Sequence, residues 1–96
     1  MNQTIWKFNT IKNGFKPVFE IEMPKNTQLL YVGVDVNNSP CIWGLVYPNE
    51  EKETRYFELF VTGQDIHNDM GIERKYVGSY SLDNSEFVGH IFERIN

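Results

Sequence analysis

One cysteine, Cys41, stands in a chain of 96 residues, so no intrachain disulfide can form and packing has to hold the fold together. Basic residues are also scarce: nine Lys and Arg face thirteen Asp and Glu, a formal net charge of −4. That balance argues against duplex nucleic acid as a partner, because neutralising its phosphates takes a basic face, while a local basic pocket for a small anion is still open. No apolar run approaches the roughly 20 residues of a membrane helix. The opening MNQTIWKFNTIKNGF has neither the apolar run nor the small-residue cleavage site of a secretory signal. These absences together lead us to expect a soluble protein of a reducing cytoplasm with no membrane contact.

Core material is plentiful. Hydrophobic residues make up 41% of the chain and aromatics 15%, which sets it apart from disordered sequences. The length fits one domain over residues 1–96.

The dominant period is two. In LLYVGVDV, Leu30, Val32, Val34 and Val36 alternate with Leu29, Tyr31, Gly33 and Asp35, the pattern of a half-buried strand. NNSP follows with turn chemistry. CIWGLVY is apolar on both faces and reads as a central strand covered on each side, with Gly44 admitting a close neighbour. TRYFELFV places Arg55, Phe57, Leu59 and Val61 on one side and Tyr56, Glu58 and Phe60 on the other. KYVGSYSL and EFVGHIFERI flank a turn at Asp83–Ser85, and TIWKFN and PVFEIEM add two strands at the front. About seven short strands separated by turn signals predict an all-β fold, a single antiparallel β-sandwich or small β-barrel. Residues 64 to 72 have room for one helical turn with Asp65 as its cap.

The ordered set TIWKF, IEMP, CIWGLVYP, RYFELFVTGQDI, YVGSYSL and FVGHIFE resembles a family of small uncharacterised proteins, a domain of unknown function found mostly in bacteriophages and prophages. The resemblance covers nearly the whole chain. It implies a small β-fold in the cytoplasm of an infected bacterial host, and it supplies no activity. Two positions depart from the family pattern: Gly89 stands where an aromatic tends to precede the histidine of the C-terminal motif, and Gln64 stands where a histidine tends to follow TG. A proton-transfer role for that family histidine could not pass to Gln64.

The most distinctive local segment is the polar stretch between Val61 and Tyr76. Thr62 and Gly63 could offer backbone N–H groups as an anion nest, and Arg74 and Lys75 could add charge-assisted contacts to a phosphate. Thr62, Gly63, Gln64, His67, Arg74 and Lys75 are therefore the candidate ligand residues, with the alternative that the segment only connects two strands. Asp65, His67 and Asp69 alternate, yet they lack the further ligands of a metal loop, so no metal is expected. Aromatics exceed what so small a core can hold, which makes Tyr31, Tyr56 and Phe60 candidates for an interface. Cys41, His90 and an aspartate (Asp35, Asp65 or Asp83) could be drawn as a triad, but no nucleophile elbow supports it, and we expect no enzyme and no cofactor. The expected function is a phage-encoded, non-catalytic binding protein. It would sequester a small anionic, nucleotide-type host immune signal as a homo-oligomer, with an acidic inhibitor of a host protein as the alternative.

Overall fold

Strands form wherever the alternating stretches run, and turns form where the sequence breaks the alternation. The computed structural model describes residues 2–67, 71–82 and 86–95. It contains β1 (Thr4–Asn9), β2 (Val18–Pro24), β3 (Gln28–Val34), β4 (Pro40–Val46), β5 (Lys52–Val61), β6 (Arg74–Ser81) and β7 (Val88–Arg94). Two antiparallel sheets result, one of three strands in the order β1-β4-β3 and one of four in the order β2-β5-β7-β6. They share no ladder among the described residues, so the fold is a sandwich and not a closed barrel. No helix occurs among those residues, and the one-turn helix expected after Gln64 is absent from the described part, residues 64–67 and 71–72. The turn expected at Asp83–Ser85 lies outside the described residues, although β6 and β7, on either side of it, do pair.

The core sits between the layers, where Ile21, Met23, Val32, Ile42, Phe57, Tyr80 and Ile91 form one buried cluster. Phe57 and Phe19 stack with centroids 5.5 Å apart. The inward set of β5 matches the expected alternation, and β4 is central as expected. Its outer side differs from expectation. Trp43 there is half-buried and packs on Tyr31 of its own sheet, with ring centroids 5.6 Å apart, and among the described residues no second layer covers it.

Two β-bulges reset the alternation. Between Leu29 and Tyr31 the register of β3 slips by one residue. Leu29 consequently turns in with Val32 while Leu30 is left exposed, the reverse of the period-two assignment; a single inserted residue moves every residue on one side of it to the other face. Val36 lies beyond the strand and is almost fully exposed. The second bulge falls between Tyr76 and Gly78 of β6. Both bulged strands are sheet edges, and they meet where the sheets approach most closely: a Cβ on Gly78 would stand 2.7 Å from the Cβ of Val32.

Charged groups tie the ends of the layers. Asp35 caps the β3–β4 turn, accepting from the backbone N–H of Asn37 and Ser39 and from Lys7 Nζ at 3.0 Å. Led by the Lys7 hydrogen bond, these contacts hold its carboxyl down at about 2. Arg55 grips Glu93 with two hydrogen bonds of 2.6 and 2.8 Å and donates a third to the carbonyl of Thr27, which joins β5 and β7 to the β2–β3 connection.

Candidate functional site: the outer face of the four-stranded sheet

The path of the chain after β5 is dictated by topology. β5 and β6 are both antiparallel to β7, which lies between them, so they run parallel to each other and a crossover has to join Val61 to Arg74. The three-stranded sheet occupies the inner face, and the described part of the crossover meets the outer face at His67, whose carbonyl accepts from Arg74. It starts with a tight turn in which Gln64 N bonds to Val61 O and Gln64 Oε1 accepts from Val61 N, both at 3.0 Å. Gly63 supplies the φ of +89° that this turn requires. The crossover is fastened at its end, where Ile95 N donates to Glu73 O and Arg74 Nη1 donates to His67 O.

On the same face lies a covered polar and aromatic cluster. Glu58 faces away from the core yet is only 6% exposed, and Phe60 beside it 9%. Arg74 Nε reaches Glu58 Oε1 at 2.6 Å, and Arg94 Nε stands 3.0 Å from the same oxygen. Burial pushes the Glu58 carboxyl up, but the two guanidiniums outweigh it and leave it below its ordinary value. Arg74 also lies over the Phe60 ring at 5.7 Å, and Phe92 meets both Phe60 and Tyr76 edge-on. Two cations share one carboxylate here, so the cluster carries a net positive charge.

Alongside runs a row of hydrogen-bonded side chains. Thr62 Oγ1 is 2.7 Å from His90 Nε2, His90 Nδ1 is 2.7 Å from Ser79 Oγ, and Ser79 Oγ is 2.5 Å from the Tyr76 hydroxyl. Tyr76 and Ser79 are an odd number of positions apart and would face opposite ways on a regular strand; the bulge between Tyr76 and Gly78 brings them to one face. The row is polarised. With neutral imidazole, hydrogen bonds run either from Tyr76 toward Thr62, leaving the Thr62 O–H free, or the reverse, leaving the Tyr76 O–H free. One end then presents a donor and the other an acceptor.

The expected ligand residues fall into place unevenly. Thr62 belongs to the row, and Gly63 and Gln64 form the turn. The His67 side chain is exposed, and its carbonyl receives Arg74. Arg74 neutralises Glu58 and is no free anion cradle. Lys75 is exposed and stands opposite Glu93 in the ladder, away from the row. Of the interface candidates, Tyr31 (63% exposed) and Tyr56 lie on the outer faces of different sheets, while Phe60 is buried under Arg74 and against Phe92. Asp69 lies outside the described residues, and no group of metal-binding side chains occurs among the rest. Cys41 and His90 sit on the outer faces of different sheets, so the drawn triad is not assembled. Burial pushes the Cys41 thiol up, away from the thiolate a nucleophile needs. Reading by residue missed Tyr76, Ser79, Glu58 and Arg94. The alternation of His90 with Val88 and Phe92 was the available signal.

A sequence profile described as a domain of unknown function (DUF7352) matches residues 1–96. The chain belongs to the DUF7352 family. No curated protein and no solved structure matches it. Membership in DUF7352 thus brings a family and no activity, and the chemistry has to be argued from the face itself. Ser79 and His90 have the spacing of a nucleophile and base. The other imidazole nitrogen, however, meets the Thr62 hydroxyl where a catalytic triad has a carboxylate to stabilise imidazolium. Hydrogen-bond exchange with a ligand suits this DUF7352 face better than proton abstraction.

Proposed function

We propose that this is a phage-encoded, non-catalytic binding protein that takes a small anionic ligand of nucleotide type on the outer face of the four-stranded sheet, and so sequesters a host immune signal. One observation carries the reading: the Thr62–His90–Ser79–Tyr76 row runs beside the net-positive Arg74–Glu58–Arg94 cluster. Phosphate oxygens are acceptors and fit the donor end of the row. The Tyr76 ring, 55% exposed, offers a face on which a base can stack. The phage setting and the immune signal rest on the family resemblance.

Calorimetry against a panel of cyclic and linear nucleotides tests the reading, with Tyr76→Ala and His90→Ala as variants. We expect one class of nucleotide to bind in the micromolar range or tighter, and each variant to weaken it by about tenfold or more. Millimolar or weaker binding across the panel refutes it. A ligand recovered in altered form after denaturing the complex would overturn the non-catalytic part.

A second reading draws on the other outer face. Tyr31 and Ile5 are exposed beside Trp43 on the three-stranded sheet, in a chain of net charge −4. An acidic protein with such a face could block a basic host enzyme. A single stoichiometric host protein captured from lysate, lost in Tyr31→Ser, would favour it.

A further inference from the structure

Each sheet leaves an edge on the same side of the sandwich. β1 is the outermost strand of one sheet and β2 of the other, and they border a single cleft of about 640 Å³ lined by Lys7–Thr10 and Val18–Glu22, with the β1–β2 connection (Lys12 and Lys16 among it) at one end and Thr54 and Tyr56 of β5 beside it. On the opposite side β3 and β6 press together at Val32 and Gly78. The sandwich is shut on one side and open on the other. A free edge presents unpaired N–H and C=O groups and is a template for strand addition.

We propose that this open side is a dimer interface and that its occupant is the open side of a second copy of the chain. Half a turn about an axis between the layers and parallel to the strands sets β1 of one copy beside β2 of the other in one layer, and β2 beside β1 in the second layer. Two continuous seven-stranded sheets form, each with three strands from one copy and four from the other. The rotation keeps strand direction. β1 and β2 meet their connection at one end of the sandwich, where Thr10, Phe15 and Phe19 line a common small cavity, so the new neighbours are antiparallel.

Side chains select this pairing over the others. Trp6 and Phe8 face inward on β1, as Phe19 and Ile21 do on β2, so each joined sheet keeps an unbroken apolar inner face. On the outer face Lys7 of one copy comes beside Glu20 and Glu22 of the second. Pairing β2 with β2 would set glutamates against glutamates, and β1 with β1 would set Lys7 against Lys7; like charges across strands destabilise. Each edge repels its own kind and complements the other. Lys7 spends one donor on Asp35 and its side chain is 45% exposed, which leaves donors for a carboxylate of the second copy. The arrangement is isologous and closes at two copies. It does not rest on the ligand reading, because both outer faces stay free.

Sedimentation equilibrium across the micromolar range, with amide hydrogen exchange, tests it. The expected mass is twice the 11.3 kDa of the chain, with slow exchange on β1 and β2 that quickens on dilution. Glu20→Lys/Glu22→Lys changes only exposed side chains; its melting temperature checks that it folds, and its dimer should weaken by about tenfold or more. Tyr31→Ser, on an outer face, should leave the dimer intact. A monomer at every concentration overturns the proposal. So does a dimer indifferent to Glu20→Lys/Glu22→Lys, or one abolished by Tyr31→Ser.

Discussion

Replacing Arg55 by methionine keeps the aliphatic stem and removes the guanidinium that joins β5, β7 and the β2–β3 connection. Three hydrogen bonds of 2.6 to 2.8 Å go with it. The side chains of Arg55 and Glu93 are 18% and 10% exposed, so Glu93 would be left nearly buried without the guanidinium that both its oxygens accept from. Removing one partner of a buried pair costs about 3–5 kcal/mol, and the residual exposure places this case near the lower end. A loss of about 3 kcal/mol is a sizeable part of a small domain's stability of roughly 5–15 kcal/mol, and it lowers Tm by roughly 10–25 °C at this size. Arg55→Met/Glu93→Leu removes both charges and restores apolar volume, so it should recover to within about 1 kcal/mol of the wild type. Urea melts of the wild type, both single variants and the double variant give the coupling energy, provided the m-values agree. An Arg55→Met cost under about 1 kcal/mol, or a double variant as unstable as the sum of the singles, would refute the reasoning.

Gly78→Ala puts a methyl into Val32 at the tightest point between the sheets, and overpacking of this kind should cost about 1–3 kcal/mol in chemical denaturation. Phe57→Ala empties the centre of the core, where Phe57 is fully buried, and should lose about 3–5 kcal/mol in the same assay. Gly63→Val forces a β-branched residue to a φ of +89° and should cost about 1–2 kcal/mol. Acid should destabilise the fold through Asp35 and Glu58. Both carboxyls are held below their ordinary values, so their stabilisation is complete above the unfolded-state value near 4 and is lost as pH falls, for Asp35 from about 4 through about 2. Melts from pH 7 down to pH 2 should show that loss, and Asp35→Asn should flatten the pH slope.

How the candidate face arises explains why so little of it was legible in the sequence. Thr62 and the glycine turn after it are local features, and TG read as a strand end because glycine admits the positive φ the turn needs. Ser79 and Tyr76 carry no such mark. They reach one face only because Val77 is bulged out where β6 packs against β3, and that depends on Val32, which is forty-five positions away from Val77. Arg74 shows the same limit from the other side. Next to Lys75 in the sequence it looks like free positive charge; in the fold a carboxylate sixteen residues earlier claims it.

Period-two alternation, turn residues and an even spread of apolar positions were enough to determine an antiparallel β-fold of seven strands, the central place of CIWGLV and the inward set of β5. These follow from side-chain geometry within a few residues, which any alternating strand obeys whatever its partners. Which strands pair, where the ladder slips, that a crossover joins β5 to a parallel β6, and that β1 and β2 are left as facing open edges were decided only in three dimensions. Each depends on contacts between residues far apart in the chain, and those contacts are set by how two twisted sheets fill the space between them.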